Sequence, residues 1–173
     1  MAPADLTLFD AVVPPFKRLA QTVPRLLDRL DDPAQLEARL APDCLNAGEH
    51  LCIALGFVVR TVMPLMGDVA PDMPIDTDPG AILALSQDMA YLLDQLDPEA
   101  FDADHVRHIA GEAELTQTAQ DFALLYALPN AQFHLTLAYA SLRMAGARLG
   151  KGDLDGFHVY AAETNFVQKH HLN

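Results

Sequence analysis

Apolar side chains recur at helical spacing from the start of the chain. Phe9, Val12, Val13, Phe16, Leu19, Ala20, Val23, Leu26, Leu27 and Leu30 form a stripe, and Lys17, Arg18, Gln21, Arg25, Asp28 and Arg29 fill the other face. The pattern predicts an amphipathic helix with one buried side. Thr7 with Asp10 three residues on resembles a capping box. Pro14, Pro15 and Pro24 each remove a backbone donor, so bends are expected there. Asp31-Asp32-Pro33 ends the helix. After a loop through Leu40-Ala41-Pro42-Asp43, a second helix is predicted from roughly Cys44 to Met66. It is apolar on most sides, as suits a helix buried among neighbours. Residues 68–78 are proline-rich and read as a loop. A third helix opens with Asp78 as cap and Pro79 in its first position, carries Ile82, Leu85, Met89, Leu92, Leu93 and Leu96 as its stripe, and stops at Asp97-Pro98.

The period then changes. Between Asp104 and Thr118 apolar and polar residues alternate around Gly111-Glu112, which predicts a small β-hairpin pairing near Arg107 and Thr116. A short helix follows, about Ala119 to Ala127. The last long helix runs from Pro129 to about Met144, is apolar nearly all round, and has Gly146 as its C-terminal cap. Beyond Gly150 the chain is polar without a clear stripe. The expected fold is all-α: a four-helix bundle with a small hairpin inserted before the last long helix, one domain over residues 1–153 and a C-terminal tail over 154–173.

Composition narrows the function. The 173 residues are 51% hydrophobic and 20% charged, which describes a globular chain. Asp and Glu number 24 against 11 Lys and Arg, a formal charge of −13. Nucleic acid and anionic membrane surfaces both ask for a basic face, so neither is an expected partner. No apolar stretch reaches the roughly 20 residues of a membrane helix, and Met1-Ala2-Pro3-Ala4-Asp5 has no positive leader region. Two cysteines, Cys44 and Cys52, make no disulfide framework, so a cytoplasmic location is expected.

Several segments resemble a known family. Ala127-Leu128-Pro129-Asn130 and the helix from Phe133 to Arg143, followed by Gly146 and Leu149-Gly150-Lys151, carry the most specific match. Leu8 to Pro14, Ala38 to Asp43 and Leu96 to Phe101 match in the right order. The chain resembles the bacterial domain-of-unknown-function family nineteen ninety-three, a branch of the DinB/YfiT-like helical bundles. The resemblance implies a DinB-like four-helix bundle, often dimeric, with no settled biochemical function. In the larger group three histidines often hold a divalent metal, one on the second helix and two four apart on the last. Side chains at i and i+4 share a helix face, so two imidazoles converge and a neighbouring helix adds the third. Carried over, His50 and His134 match, whereas Asn130 stands where the first histidine of the last helix would be. An amide oxygen is a poor zinc ligand, and two imidazoles hold a metal weakly.

The pocket candidates are therefore His50, Asn130 and His134, with His50 and His134 as the metal candidates. His134 on an apolar helix reads most simply as a neutral histidine bonded to a neighbour. Asn130 reads as a side chain bonding free backbone groups of the preceding turn. Cys52 lies two residues from His50, so the two point apart on a helix and make no nucleophile pair. Cys44 reads as a small core residue. His105 and His108, three apart in a strand, face opposite sides, and His170-His171 sits in the polar tail. The leading expectation is a bundle binding a small ligand of unknown identity or a partner, with no cofactor. Alternatives are a metal-dependent transferase or hydrolase using zinc or nickel at His50 and His134, and a structural homodimer. The enzyme reading rises if Glu49, Asp43 or a tail histidine joins His134. A two-fold homodimer is expected because the second and last helices look more apolar than one bundle core absorbs.

Overall fold

A computed structural model describes residues 6–160. Four long helices form the bundle: α1 (Leu8–Leu27), α2 (Ala47–Leu65), α3 (Pro79–Gln95) and α4 (Leu128–Met144). Between α3 and α4 lies an antiparallel hairpin of β1 (His105–Ala110) and β2 (Ala113–Thr118), with Arg107 paired to Thr116. Its turn needs Gly111, whose φ of 62° is left-handed. Short 3-10 turns at Pro33–Glu37 and Pro98–Ala100 link the elements, and α5 (Lys151–Asp155) closes the described chain. The bundle and the hairpin are those expected from the sequence pattern.

The caps explain the boundaries. Thr7 and Asp10 form the expected capping box at α1. The second helix starts later than its apolar run suggests. Asn46 accepts from the Glu49 amide and Glu49 accepts from the Asn46 amide, so α2 begins at Ala47 and half-buried Cys44 lies in the turn before it. α1 continues as one helix through Pro14, Pro15 and Pro24. Pro24 cannot donate to the carbonyl of Ala20, and the buried Ser86 hydroxyl of α3 donates to that carbonyl instead, at 2.7 Å.

The segment before α4 departs from expectation. In place of a separate short helix and a fresh start at Pro129, Ala119–Asp121 runs through a π-helical stretch, Phe122–Ala127, directly into α4. The Leu128 amide reaches back five residues to the Ala123 carbonyl. A proline ring clashes with the carbonyl four residues before it, and a wider turn gives that carbonyl room.

α2 is the central helix, packed most extensively against α4 and also against α3 and α1. Leu51, Ala54, Leu55, Val58, Val62 and Leu65 are all at 0% exposure. By length and apolarity alone α2 could cross a membrane, which corrects the expectation that no segment could. In the bundle 72% of that stretch is buried, the ordinary state of a core helix. The chain's own core thus absorbs α2, which removes it from the dimer argument. α4 does leave Phe133 55% exposed. The start of the polar tail is also ordered onto α1: Thr22 donates to the Leu154 carbonyl, Arg25 to that of Asp153, and Arg18 lies over the Phe157 ring. His170 and His171 fall outside the described residues.

Candidate functional site

Two side-chain rows face each other across the α2–α4 contact. Residues three and four apart share a helix face, so α2 presents His50, Ile53, Phe57, Arg60 and Pro64 in one row. Phe122, Tyr126, Asn130 and His134, each four apart, make the opposing row through the π stretch and α4. These rows, without His50, form one wall of an open cavity of about 1160 Å³. The hairpin strand β1 and the loop from Gly67 to Ile75 complete it.

His50 and His134 meet below this space. Their Nδ1 atoms are 2.8 Å apart, and the ring centroids are 5.1 Å apart. Two protonated Nδ1 atoms cannot share such a gap, so one ring donates its Nδ1–H and the other accepts with a bare Nδ1. The accepting ring then carries its proton on Nε2, and the donating ring has a bare Nε2. Phe133 stands edge-on to His50, and the Phe57 ring lies 6.0 Å from that of His134. His50 is 4% exposed. Burial lowers its pKa, opposed by Glu49. Burial, then His50, then Arg60 push the His134 pKa down to about 4. The pair is therefore neutral at pH 7.

Asn130 has a separate occupation. Its Nδ2 donates to the Tyr126 carbonyl at 2.7 Å, on the turn that Pro129 interrupts. That is the backbone role expected of it. Glu49 caps α2 and pairs with Arg39 at 3.1 Å, and Asp43 is exposed in the loop before α2. Neither joins His134. Cys52 donates its thiol to the Asp76 carbonyl at 3.2 Å, and burial raises its pKa, which keeps it an unreactive thiol. His105 is exposed, whereas His108 faces inward beside Val106. The His108 ring lies 4.2 Å from that of Tyr126, its Nε2 meets Gln117 Oε1 at 2.7 Å, and its buried Nδ1 has no partner.

The three-histidine metal site implied by the larger group does not fit these residues. Among the described residues no three His, Cys, Asp or Glu side chains gather to hold an ion. The two imidazoles bond each other, and the third position is an amide committed to the backbone. Two nitrogens on a tetrahedral zinc, each about 2.0–2.1 Å from it, stand about 3.3 Å apart, so the pair would also have to open.

Sequence reasoning brought His50, Asn130 and His134 to the same helix pair but missed Arg60, Phe57, Tyr126 and His108. Arg60 had a signal. It is the one Lys or Arg in an otherwise apolar helix, and steps of three and four residues place it in the His50 row.

The family model Domain of unknown function (DUF1993) matches residues 8–154. A solved structure of a DinB family member protein from Shewanella denitrificans superposes with a TM-score of 0.76 at 25% identity, covering 90% of this chain and 95% of that one. No curated protein matches the chain.

Proposed function

Because the chain belongs to the DUF1993 family and folds as a DinB-like bundle, we propose that it is a small-ligand-binding protein whose ligand sits in the α2–α4 cavity above the histidine pair. The observation that carries this reading is the cavity itself. At about 1160 Å³ it is no smaller than ordinary ligand sites, which run to about 1,000 Å³. Its walls mix apolar and aromatic groups (Ile53, Phe57, Phe122, Met73) with a few polar ones (Arg60, Asn130, His134), the combination that binds and orients small molecules. The free thiols of Cys44 and Cys52 suit a reducing cytoplasm as its compartment.

The neutral dye N-phenyl-1-naphthylamine tests the reading. It should bind the protein near one to one with increased fluorescence, and Ile53→Trp, which narrows the space beside Phe57, should weaken that binding while the fold persists by circular dichroism. Equal binding by both proteins refutes it. The second reading is a metal-dependent transferase or hydrolase working from a reduced two-imidazole site at His50 and His134, against which the direct bond between the two rings counts. That reading requires zinc or nickel to displace the proton shared by the pair, and calorimetric titration with either ion tests it.

A further inference from the structure

The cavity wall carries a cation that no described residue pairs with. The Arg60 guanidinium carbon stands 4.8 Å from the centre of the Phe57 ring. The side chain folds back over α2 onto Gly56, where an added Cβ would lie 2.8 Å from Nη2. Glycine thus provides the slot in which the guanidinium lies. Among the described residues it forms no ion pair and no hydrogen bond. Asp68 and Asp72 line the same cavity without pairing to it, and the other arginine there, Arg107, is paired with Glu114.

A guanidinium presents a planar fork of donors that matches a carboxylate with two parallel bonds. Arg60 is exposed, and with one face of its guanidinium resting on the Phe57 ring its donors stay open to an anion in the cavity. The cavity lining includes the apolar side chains of Ile53, Phe57 and Phe122 and the ring of Tyr126, which suit an apolar body behind a ligand's charge. The chain's charge of −13 disfavours a multiply charged anion. We infer that the cavity binds a small organic monocarboxylate with an apolar, aromatic-sized body, its carboxylate forked by Arg60 and its body against Phe57 and Tyr126 on the side of His134. This inference rests on the ligand-binding reading above and adds the class of ligand.

The test compares 1-naphthylacetate with its neutral amide, 1-naphthylacetamide, by isothermal titration calorimetry on the full chain. The carboxylate should bind at least ten-fold tighter than the amide. Arg60→Gln should remove that preference and leave the two probes equal. Arg60→Lys, a point charge without the fork, should keep part of it. Gly56→Ala, which keeps the charge but displaces the guanidinium, should weaken the carboxylate several-fold and leave the amide unchanged. Unaltered melting temperatures establish that the variants are folded. Equal affinity of both probes for the native protein overturns the inference, as does a preference that survives in Arg60→Gln. If neither probe binds while N-phenyl-1-naphthylamine does, the carboxylate inference fails and the cavity reading stands. If the dye fails as well, both fall.

Discussion

Acidification should weaken this protein before most of its carboxylates protonate, and His134 supplies the reason. In the unfolded chain its imidazole takes up a proton near the ordinary value of 6.5, whereas in the folded protein burial, His50 and Arg60 hold protonation off until about pH 4. Between those values the unfolded state binds more protons than the folded one, so stability falls as pH falls. The contribution is complete above pH 6.5 and is lost progressively towards pH 4. Each pH unit of difference is worth about 1.36 kcal/mol per proton, so the loss approaches about 3 kcal/mol at its limit. His50, also lowered by burial, shifts in the same direction, and the two rings titrate as a unit. Urea denaturation followed by circular dichroism from pH 7 to 4.5 measures the effect. The native protein should lose about 2 kcal/mol more than His134→Gln over that range. The variant starts lower at pH 7, since it leaves the buried His50 without its partner. Carboxylates begin to titrate only at the lower end of that window and do so in both proteins, so the difference between the two curves isolates the histidine pair. Parallel stability curves for the two proteins would refute this account of the pair.

Three further outcomes follow from other contacts. Ser86→Ala should cost about 1–3 kcal/mol by leaving the buried Ala20 carbonyl unpaired. In a Pro24→Ala background, where residue 24 again donates to that carbonyl, the same change should cost at least about 1 kcal/mol less, as read from a double-mutant cycle of urea midpoints. Purified native protein should contain less than one zinc per chain by metal analysis, whereas Asn130→His should gain zinc and a higher melting temperature in its presence. One zinc per chain in the native protein would overturn this. The two-fold homodimer expected from the sequence now depends on exposed apolar side chains such as Phe133 rather than on α2, and sedimentation equilibrium at micromolar concentration that shows only an 18.8 kDa species would exclude it.

Much of the fold was legible because its signals are local. Periodicity marked all four long helices, Asp78-Pro79 fixed the start of α3, and alternation around Gly111 marked the hairpin. The misplaced start of α2 was local too: Asn46 and Glu49 spell a capping box, but the apolar run reaching back to Cys44 obscured it. Pro129 was ambiguous in a different way. A proline at that position suits a helix start and equally suits the residue after a π-helical turn, and the choice depends on whether the preceding turn is already packed. Here Phe122 and Ala127 are buried in the core, which holds the turn in place and keeps the helix continuous.

The site was less legible because its contacts join distant parts of the chain. His50 and His134 are 84 positions apart, and only the packing of α2 on α4 decides what each imidazole meets. The resemblance put both on facing helices and implied a metal between them, but the chemistry of position 130 leads elsewhere. Pro129 donates no hydrogen bond to the preceding turn, and the Asn130 amide reaches back to the Tyr126 carbonyl there. With the third ligand position taken up by the backbone, a buried imidazole has two ways to satisfy its Nδ1: a water, for which there must be room, or the other imidazole. At 2.8 Å the two rings satisfy each other, at the cost of remaining neutral. Among the described residues lining the cavity, the arginine without an ion pair is then Arg60, further along the same α2 row as His50. The helix pair for which the resemblance implies a metal is thus chemically suited here to an anion instead.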